Sequence, residues 1–311
     1  MTARTLLAYA MLAASMLIVG LCVTLGKMAL AHLPVVALAG VRCLAASACL
    51  APLALAEGRR SHSSLRTVLE GMDARERLDL VGQAFFGVFA FTLLMLGGVR
   101  LTGAGEAGLI AATMPLAILV LALPLLGERL RPRPLLAAGI ASLGIAVITF
   151  AGNAGEGGAL RWLGNLLVAL AVVSEALYTL FAKRLAARLP PATMALLLNL
   201  LGLALFLPLL AFEPWAELVA GVPWQGWAIG VAYGVLTSGL ALVLWYRGTR
   251  WVTGGVAGLF TVFLPVGAIV SGVLLLDETV EPHQAAGAAV IALALLIGLA
   301  PGRWWGRLRR A

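Results

Sequence analysis

Residues 98–128, GVRLTGAGEAGLIAATMPLAILVLALPLLGE, and residues 248–278, GTRWVTGGVAGLFTVFLPVGAIVSGVLLLDE, decide the fold. Laid over each other without a gap they match Gly98 with Gly248, Arg100 with Arg250, Gly105 with Gly255, Pro115 with Pro265 and Glu128 with Glu278, every pair 150 apart. Further out, Lys27, Pro34 and Pro52 match Lys183, Pro190 and Pro208, every pair 156 apart. The six-residue difference falls in the polar loop at about residues 57–78, which is longer than its counterpart near 212–226. An insertion confined to a loop is what a duplicated membrane unit shows.

Composition agrees with that reading. Hydrophobic residues make up 62% of the 311 residues, charged residues 12%, and the mean hydropathy is +1.02; soluble domains hold about 45–50% apolar and 25% charged residues. Ten apolar runs lie at roughly 5–26, 35–56, 79–98, 103–126, 134–151, 161–183, 192–212, 226–246, 253–276 and 283–301. Uninterrupted runs of about 20 residues imply membrane-spanning helices, because the bilayer core offers no water to satisfy the backbone. The expected fold is all-α integral membrane, ten transmembrane helices as two five-helix repeats, residues 1–152 and 153–311. With an odd number of spans in each repeat, the second is inverted relative to the first and both termini share a compartment.

Charge chooses the compartment. With the N-terminus cytoplasmic, 18 of the 22 Lys and Arg fall on inner segments, Lys27, Arg100 and Arg161 fall outside, and Arg42 lies within a span. This bias predicts cytoplasmic termini and a bacterial-type cytoplasmic membrane. The net charge of +8 then reflects topology and anionic headgroups and calls for no nucleic-acid partner. The basic tail Arg303–Arg310, with Trp304 and Trp305, reads as an interfacial anchor. Arg4 before the first run and Ala29-Leu30-Ala31 imitate a signal peptide, but removing that helix would leave the sixth without its repeat partner.

Nothing points to an enzyme. The sequence lacks a nucleotide-binding glycine loop, a His-Glu-x-x-His helix and a serine elbow. Cys22, Cys43 and Cys49 have no metal spacing and read as small packing residues, and no cofactor is expected. The histidines, His32, His62 and His283, lie in or beside loops.

Met114-Pro115 leading to Gly127-Glu128-Arg129-Leu130, and Leu264-Pro265 leading to Asp277-Glu278-Thr279-Val280, repeat one pattern: an apolar helix holding a proline, an acidic turn, then another apolar helix. The chain resembles the EamA-type ten-helix transporters of the drug/metabolite transporter superfamily over nearly its whole length. The resemblance implies a cavity lined mainly by the first, third, fourth, sixth, eighth and ninth helices, with the fifth and tenth outside it. It also implies a small-molecule substrate, amino acids or other metabolites.

Ionisable residues within spans are the candidate site, since a charge at mid-bilayer costs about 2.5–3.5 kcal/mol. Glu106 lies near the outer end of the fourth run, with Thr113 seven residues on and on the same face. Glu175 lies about 21 Å along the sixth helix, with Tyr178 and Thr179 at i+3 and i+4. The repeat equivalents of the two acids are Val256 and Val19, so the charge is asymmetric in a symmetric scaffold. Arg42, about seven residues into the second run, is a candidate ion-pair or gate residue. Pro115 and Pro265 are expected near the middle of their helices, as hinges or static bends. Phe85, Phe89, Tyr233 and Phe260 are candidate wall residues, and Gly230-x-x-x-Gly234 and Gly254-x-x-x-Gly258 permit close helix approach.

The expected function is alternating-access export of small amphipathic metabolites, amino acids first, with one carboxylate binding the substrate's amino group or exchanging a proton with it. Two other readings stand beside it: proton-coupled efflux of lipophilic or quaternary cations, and a non-transporting receptor or assembly subunit. The partners expected are the substrate, the lipid bilayer and protons; the sequence leaves the oligomeric state open.

Overall fold

The computed structural model describes residues 3–60, 65–102, 110–111, 113–127, 132–150, 160–276 and 282–299. Within them every regular element is helical. In chain order these are α1 (Ala3–Leu30), α2 (Val35–Arg60), α3 (Leu65–Glu70), α4 (Ala74–Ala84), a π-helical stretch Phe85–Ala90, α5 (Phe91–Thr102), α6 (Met114–Leu126), α7 (Pro132–Phe150), α8 (Arg161–Ala186) and α9 (Pro191–Leu210). Then follow α10 (Trp215–Gly221), α11 (Trp224–Gly234), a second π-helical stretch Val235–Ala241, α12 (Leu242–Thr249), α13 (Gly254–Leu259), a 3₁₀ turn Phe260–Val262, α14 (Phe263–Leu276) and α15 (Pro282–Leu299).

Among the described residues, seven helices are long and apolar enough to cross a membrane: Ala3–Leu30, Val35–Arg59, Ala74–Gly98, Arg161–Ala186, Pro191–Leu210, Trp224–Thr249 and Gly254–Leu275. They coincide with seven of the ten apolar runs. Shorter apolar helices, Met114–Leu126, Pro134–Val147 and Ala285–Leu295, fall in the other three. The chain is therefore a multi-pass helical membrane protein.

Local chemistry accounts for where the helices start and stop. Asp73 caps α4 by accepting the Glu76 amide at 2.7 Å, while the Glu76 carboxylate accepts the Asp73 amide at 3.0 Å, so two otherwise orphaned donors are satisfied reciprocally. The helix α9 starts after Pro190, which has no capping side chain; Glu57 at the end of α2 supplies one from another element, accepting the amides of Ala192 and Thr193 at 2.9 and 3.1 Å. Gly127 ends α6 in the left-handed region at φ 65°, where glycine carries no steric penalty.

The packing pairs elements across the chain. Helix α1 lies along α14 and α12, α8 lies along α6 and α5, α2 lies along α9, and α7 lies along α15. Exchanging first-half and second-half equivalents turns the first pairing into the second and each of the last two into itself. The contacts repeat in detail: a Cβ on Gly98 would stand 3.0 Å from the Gly164 carbonyl and 2.6 Å from Val168, and one on Gly248 would stand 3.0 Å from the Ala8 carbonyl and 2.7 Å from Leu12. Gly98 and Gly248 are 150 apart, and Gly164 and Val168 are 156 beyond Ala8 and Leu12, the two offsets read in the sequence.

Of the two prolines, one sits differently from expectation. Pro115 is the second residue of α6, after a turn at Thr113, and Pro265 is the third residue of α14, after the 3₁₀ turn Phe260–Val262. Pro115 thus lies in a first turn, where it loses an amide hydrogen that has no intrahelical partner anyway, whereas Pro265 lies near the middle of the span Gly254–Leu275, just after its 3₁₀ turn. Thr113 and Thr261 return their hydroxyls to the carbonyls three residues back, Ile110 and Gly258, each at 2.7 Å.

Candidate functional site

Both π-helical stretches, whose first residues Phe85 and Val235 are 150 apart, contribute to the wall of one internal cavity of about 400 Å³. Gly87 and Val88 come from the first, and Thr237, Ser238 and Ala241 from the second. A π turn widens the helix and leaves local backbone groups less regularly paired, which suits a ligand wall. The rest is largely apolar: Met16, Val19 and Val23 of α1, Phe91 of α5, Met114 of α6, Leu242 of α12 and Leu264 of α14 face it.

Two charged side chains line this space, Arg42 from α2 and Glu175 from α8. No ion pair joins the two among the described residues. Arg42 is held by its backbone: Gly234 of α11 packs so closely that a Cβ there would be 2.8 Å from Arg42 Cα. This gives the Gly230-x-x-x-Gly234 pattern its structural reason.

Of the other residues singled out in the sequence, Tyr178, Thr179, Tyr233 and Pro265 also line the cavity. Tyr246 of α12 accepts Gln83 Nε2 at 2.7 Å. Two fully buried side chains thus join α12 and α4. Gly87 leaves room for the Tyr178 ring, since a Cβ there would stand 2.9 Å from Tyr178 Cβ.

Others are not brought to this space. Thr113 is exposed at the start of α6. Phe85 is exposed, and Phe89 packs on Phe206 with ring centroids 5.2 Å apart. Phe260 is buried between Tyr9, at 5.2 Å, and Phe263, at 6.0 Å. Pro115 is buried without facing the cavity. Glu106, Glu128 and Glu278 lie outside the described residues, as do the side chains of Lys27 and Arg100 and the tail Arg303–Arg310.

The structure adds residues that the sequence reading passed over. Asn199 of α9 faces the cavity and donates Nδ2 to the carbonyls of Ala195 and Ser238, at 2.8 and 2.9 Å. It had a signal, a lone amide in the leucine run 196–201. Ser15 of α1 donates to the Ala241 carbonyl at 2.7 Å, which ties α1 to the second π stretch. Trp245 had no signal, because tryptophan in a span reads equally as packing. The second, fifth and seventh apolar runs therefore reach the cavity through Arg42, Ile145 and Asn199, beyond the helices that the resemblance implied. The second and seventh get there because α2 and α9 both pack on the second π stretch.

The family model for EamA-like transporters matches this chain twice, over residues 6–150 and 162–299. The chain belongs to the EamA-like transporter family. It is 33% identical over 278 residues to an uncharacterized transporter, YetK, of Bacillus subtilis (strain 168), covering 88% of this chain and 81% of that protein. It is 25% identical over 212 residues to an uncharacterized transporter of Archaeoglobus fulgidus, covering 68% of this chain and 74% of that protein. A protein of known crystal structure shares the fold, with a TM-score of 0.76 at 22% identity over 96% of this chain and 99% of its own. As a member of this family the chain is a membrane transporter.

Proposed function

We propose that this transporter exports small zwitterionic metabolites, amino acids foremost, by alternating access. The observation that carries the reading is a cavity with one carboxylate, Glu175, and one guanidinium, Arg42, from different elements, unpaired with each other in an otherwise largely apolar wall. An ammonium group suits Glu175, a carboxylate suits the Arg42 fork, and the apolar wall accommodates a side chain. Each charge held without a partner in low dielectric costs free energy, which a zwitterion offsets at both ends. Glu175 also serves as the proton-exchange group, so that protonation and substrate binding compete.

The scaffold we infer is ten spans in two inverted five-helix units with both termini cytoplasmic. The interchangeable pairings of α1 with α14 and α8 with α6 support it, as does the 18-to-3 distribution of basic residues. In that orientation the ion pairs Arg184–Asp79 at 2.9 Å, Arg188–Glu76 at 3.0 Å and Arg247–Glu57 at 3.9 Å lie at the cytoplasmic end. Arg250 joins them by donating to the carbonyls of Ala186 and Leu189. This network acts as the inner gate.

The test is uptake of labelled amino acids and organic cations into proteoliposomes holding the purified chain, with and without an imposed pH gradient. Amino-acid flux that responds to the gradient supports the reading. Flux of lipophilic cations such as tetraphenylphosphonium alone moves the substrate class to drug efflux, and no flux of either overturns it.

A further inference from the structure

One end of the molecule is closed by contacts whose residues the repeat supplies twice. Arg250, just after α12, donates to the carbonyls of Ala186 and Leu189 at the end of α8, and Lys183 of α8 donates to the Thr249 carbonyl at 2.5 Å. These bonds join the group α1, α11, α12 and α14 to the group α4, α5, α6 and α8, and there α12 packs on α8. Under the two offsets of the repeat, Arg250 corresponds to Arg100, Ala186 and Leu189 to Leu30 and Leu33, Lys183 to Lys27 and Thr249 to Val99.

At the opposite end the acceptors of the same arrangement are already formed. Helix α1 ends as α8 does: the amides of His32 and Leu33 donate to the Ala29 carbonyl at 3.0 and 2.9 Å, as those of Arg188 and Leu189 donate to Leu185, each at 2.9 Å. The turn that presents the Ala186 and Leu189 carbonyls is thus repeated at Leu30 and Leu33, whose carbonyls accept no hydrogen bond among the described residues. Helix α5 has no packing on α1 comparable with that of α12 on α8. Charge points the same way. Lys27 and Arg100 are, with Arg161, the basic residues that fall on outer segments, against 18 on inner ones, so their charge is carried against the bias that sets topology.

We infer that Arg100 closes this second end in the alternate conformation by donating to the carbonyls of Leu30 and Leu33, with Lys27 donating to the Val99 carbonyl. Arg100 enters by its repeat position, its side chain lying outside the described residues. A guanidinium fork can hold two carbonyls at once, which is what Arg250 does at Ala186 and Leu189. The two arginines then hold opposite ends of the cavity, and each conformation is stabilised by the one that is bonded in it. This inference rests on the alternating-access reading.

The experiment is double electron–electron resonance on the full chain in lipid nanodiscs, with the native cysteines replaced by serine. Spin labels at exposed Trp162 of α8 and Trp224 of α11 span the Leu30 end, and labels at exposed Leu6 of α1 and Leu78 of α4 span the Ala186 end. Distances are read for the parent chain, Arg250→Gln, Arg100→Gln and the double variant, with thermal midpoints reporting folding. Losing hydrogen bonds from a charged group shifts a two-state population by about tenfold. Arg250→Gln is therefore expected to raise the ratio of short to long distances at the Leu30 end by about that factor and to lower it at the Ala186 end. Adding Arg100→Gln to Arg250→Gln is expected to reverse both shifts. An Arg100→Gln effect within about twofold, or in the same direction as that of Arg250→Gln, overturns the assignment and, with two distances still populated at each end, leaves alternating access standing. One unchanged distance at each end in every variant overturns both. Should Arg100→Gln fail to fold, Arg100→Lys, which keeps the charge without the fork, carries the same decision.

Discussion

Glu175 and Arg42 are the two charged side chains that line the cavity, and the proposed function predicts that their effects on transport separate by substrate charge. Replacing Arg42 by Gln removes the group that holds a carboxylate. It is expected to raise the KM for a zwitterionic amino acid by tenfold or more while leaving uptake of an amine that lacks a carboxylate within about threefold, read in proteoliposomes; equal losses for both would show Arg42 to be structural. A place for Glu175 in the cavity was legible in the sequence because a carboxylate about 21 Å along an apolar helix has few structural excuses; Arg42 read as an ion-pair or gate residue, and its place in the cavity wall was not legible. Gln83 was not legible. Its importance lies in what it bonds, Tyr246 at 2.7 Å, and a bonding partner 163 residues away leaves no trace in local pattern.

Close helix crossings and irregular helical turns shape the wall at the scale of elements. At the crossing of α1 with α14, a Cβ on Gly20 would lie 2.8 Å from Gly267 Cα and would also meet the Leu264 carbonyl. Backbone cannot move aside as a flexible side chain can, so Gly20→Ala is expected to cost about 1–3 kcal/mol and to lower the thermal midpoint in detergent; an unchanged midpoint would mean that the crossing is looser than described. Glu57 caps α9 from another helix, and Glu57→Ala is expected to cost about 1 kcal/mol in the same measurement, with Glu57→Gln largely retaining the cap. Seven long apolar helices were legible from length and hydropathy. The irregular turns inside them were not, because a 3₁₀ turn at Phe260–Val262 or a π turn at Val235–Ala241 leaves an apolar run equally apolar.

For the whole molecule, the question is how a repeated scaffold carries an asymmetric site. Gly98 on Gly164 and Gly248 on Ala8 reproduce one crossing in both halves, and this regularity was readable as two offsets because close packing tolerates no change in register. The site residues depart from it: Glu175 stands opposite Val19 in the repeat alignment, and both line the cavity. Orientation is tested by single cysteines at exposed Arg66 and Phe212, placed in a chain whose native cysteines are serine. The expected result is labelling of the first only from the cytoplasmic side and of the second only from outside, and the reverse would invert the topology. The claim that the cavity is the transport site is tested most directly by exchange of a labelled amino acid across proteoliposomes by wild type and Glu175→Gln over a range of pH. The account predicts exchange by wild type, and loss of at least tenfold with a flattened pH dependence in the variant. Exchange by Glu175→Gln at the wild-type rate with the same pH dependence would contradict it.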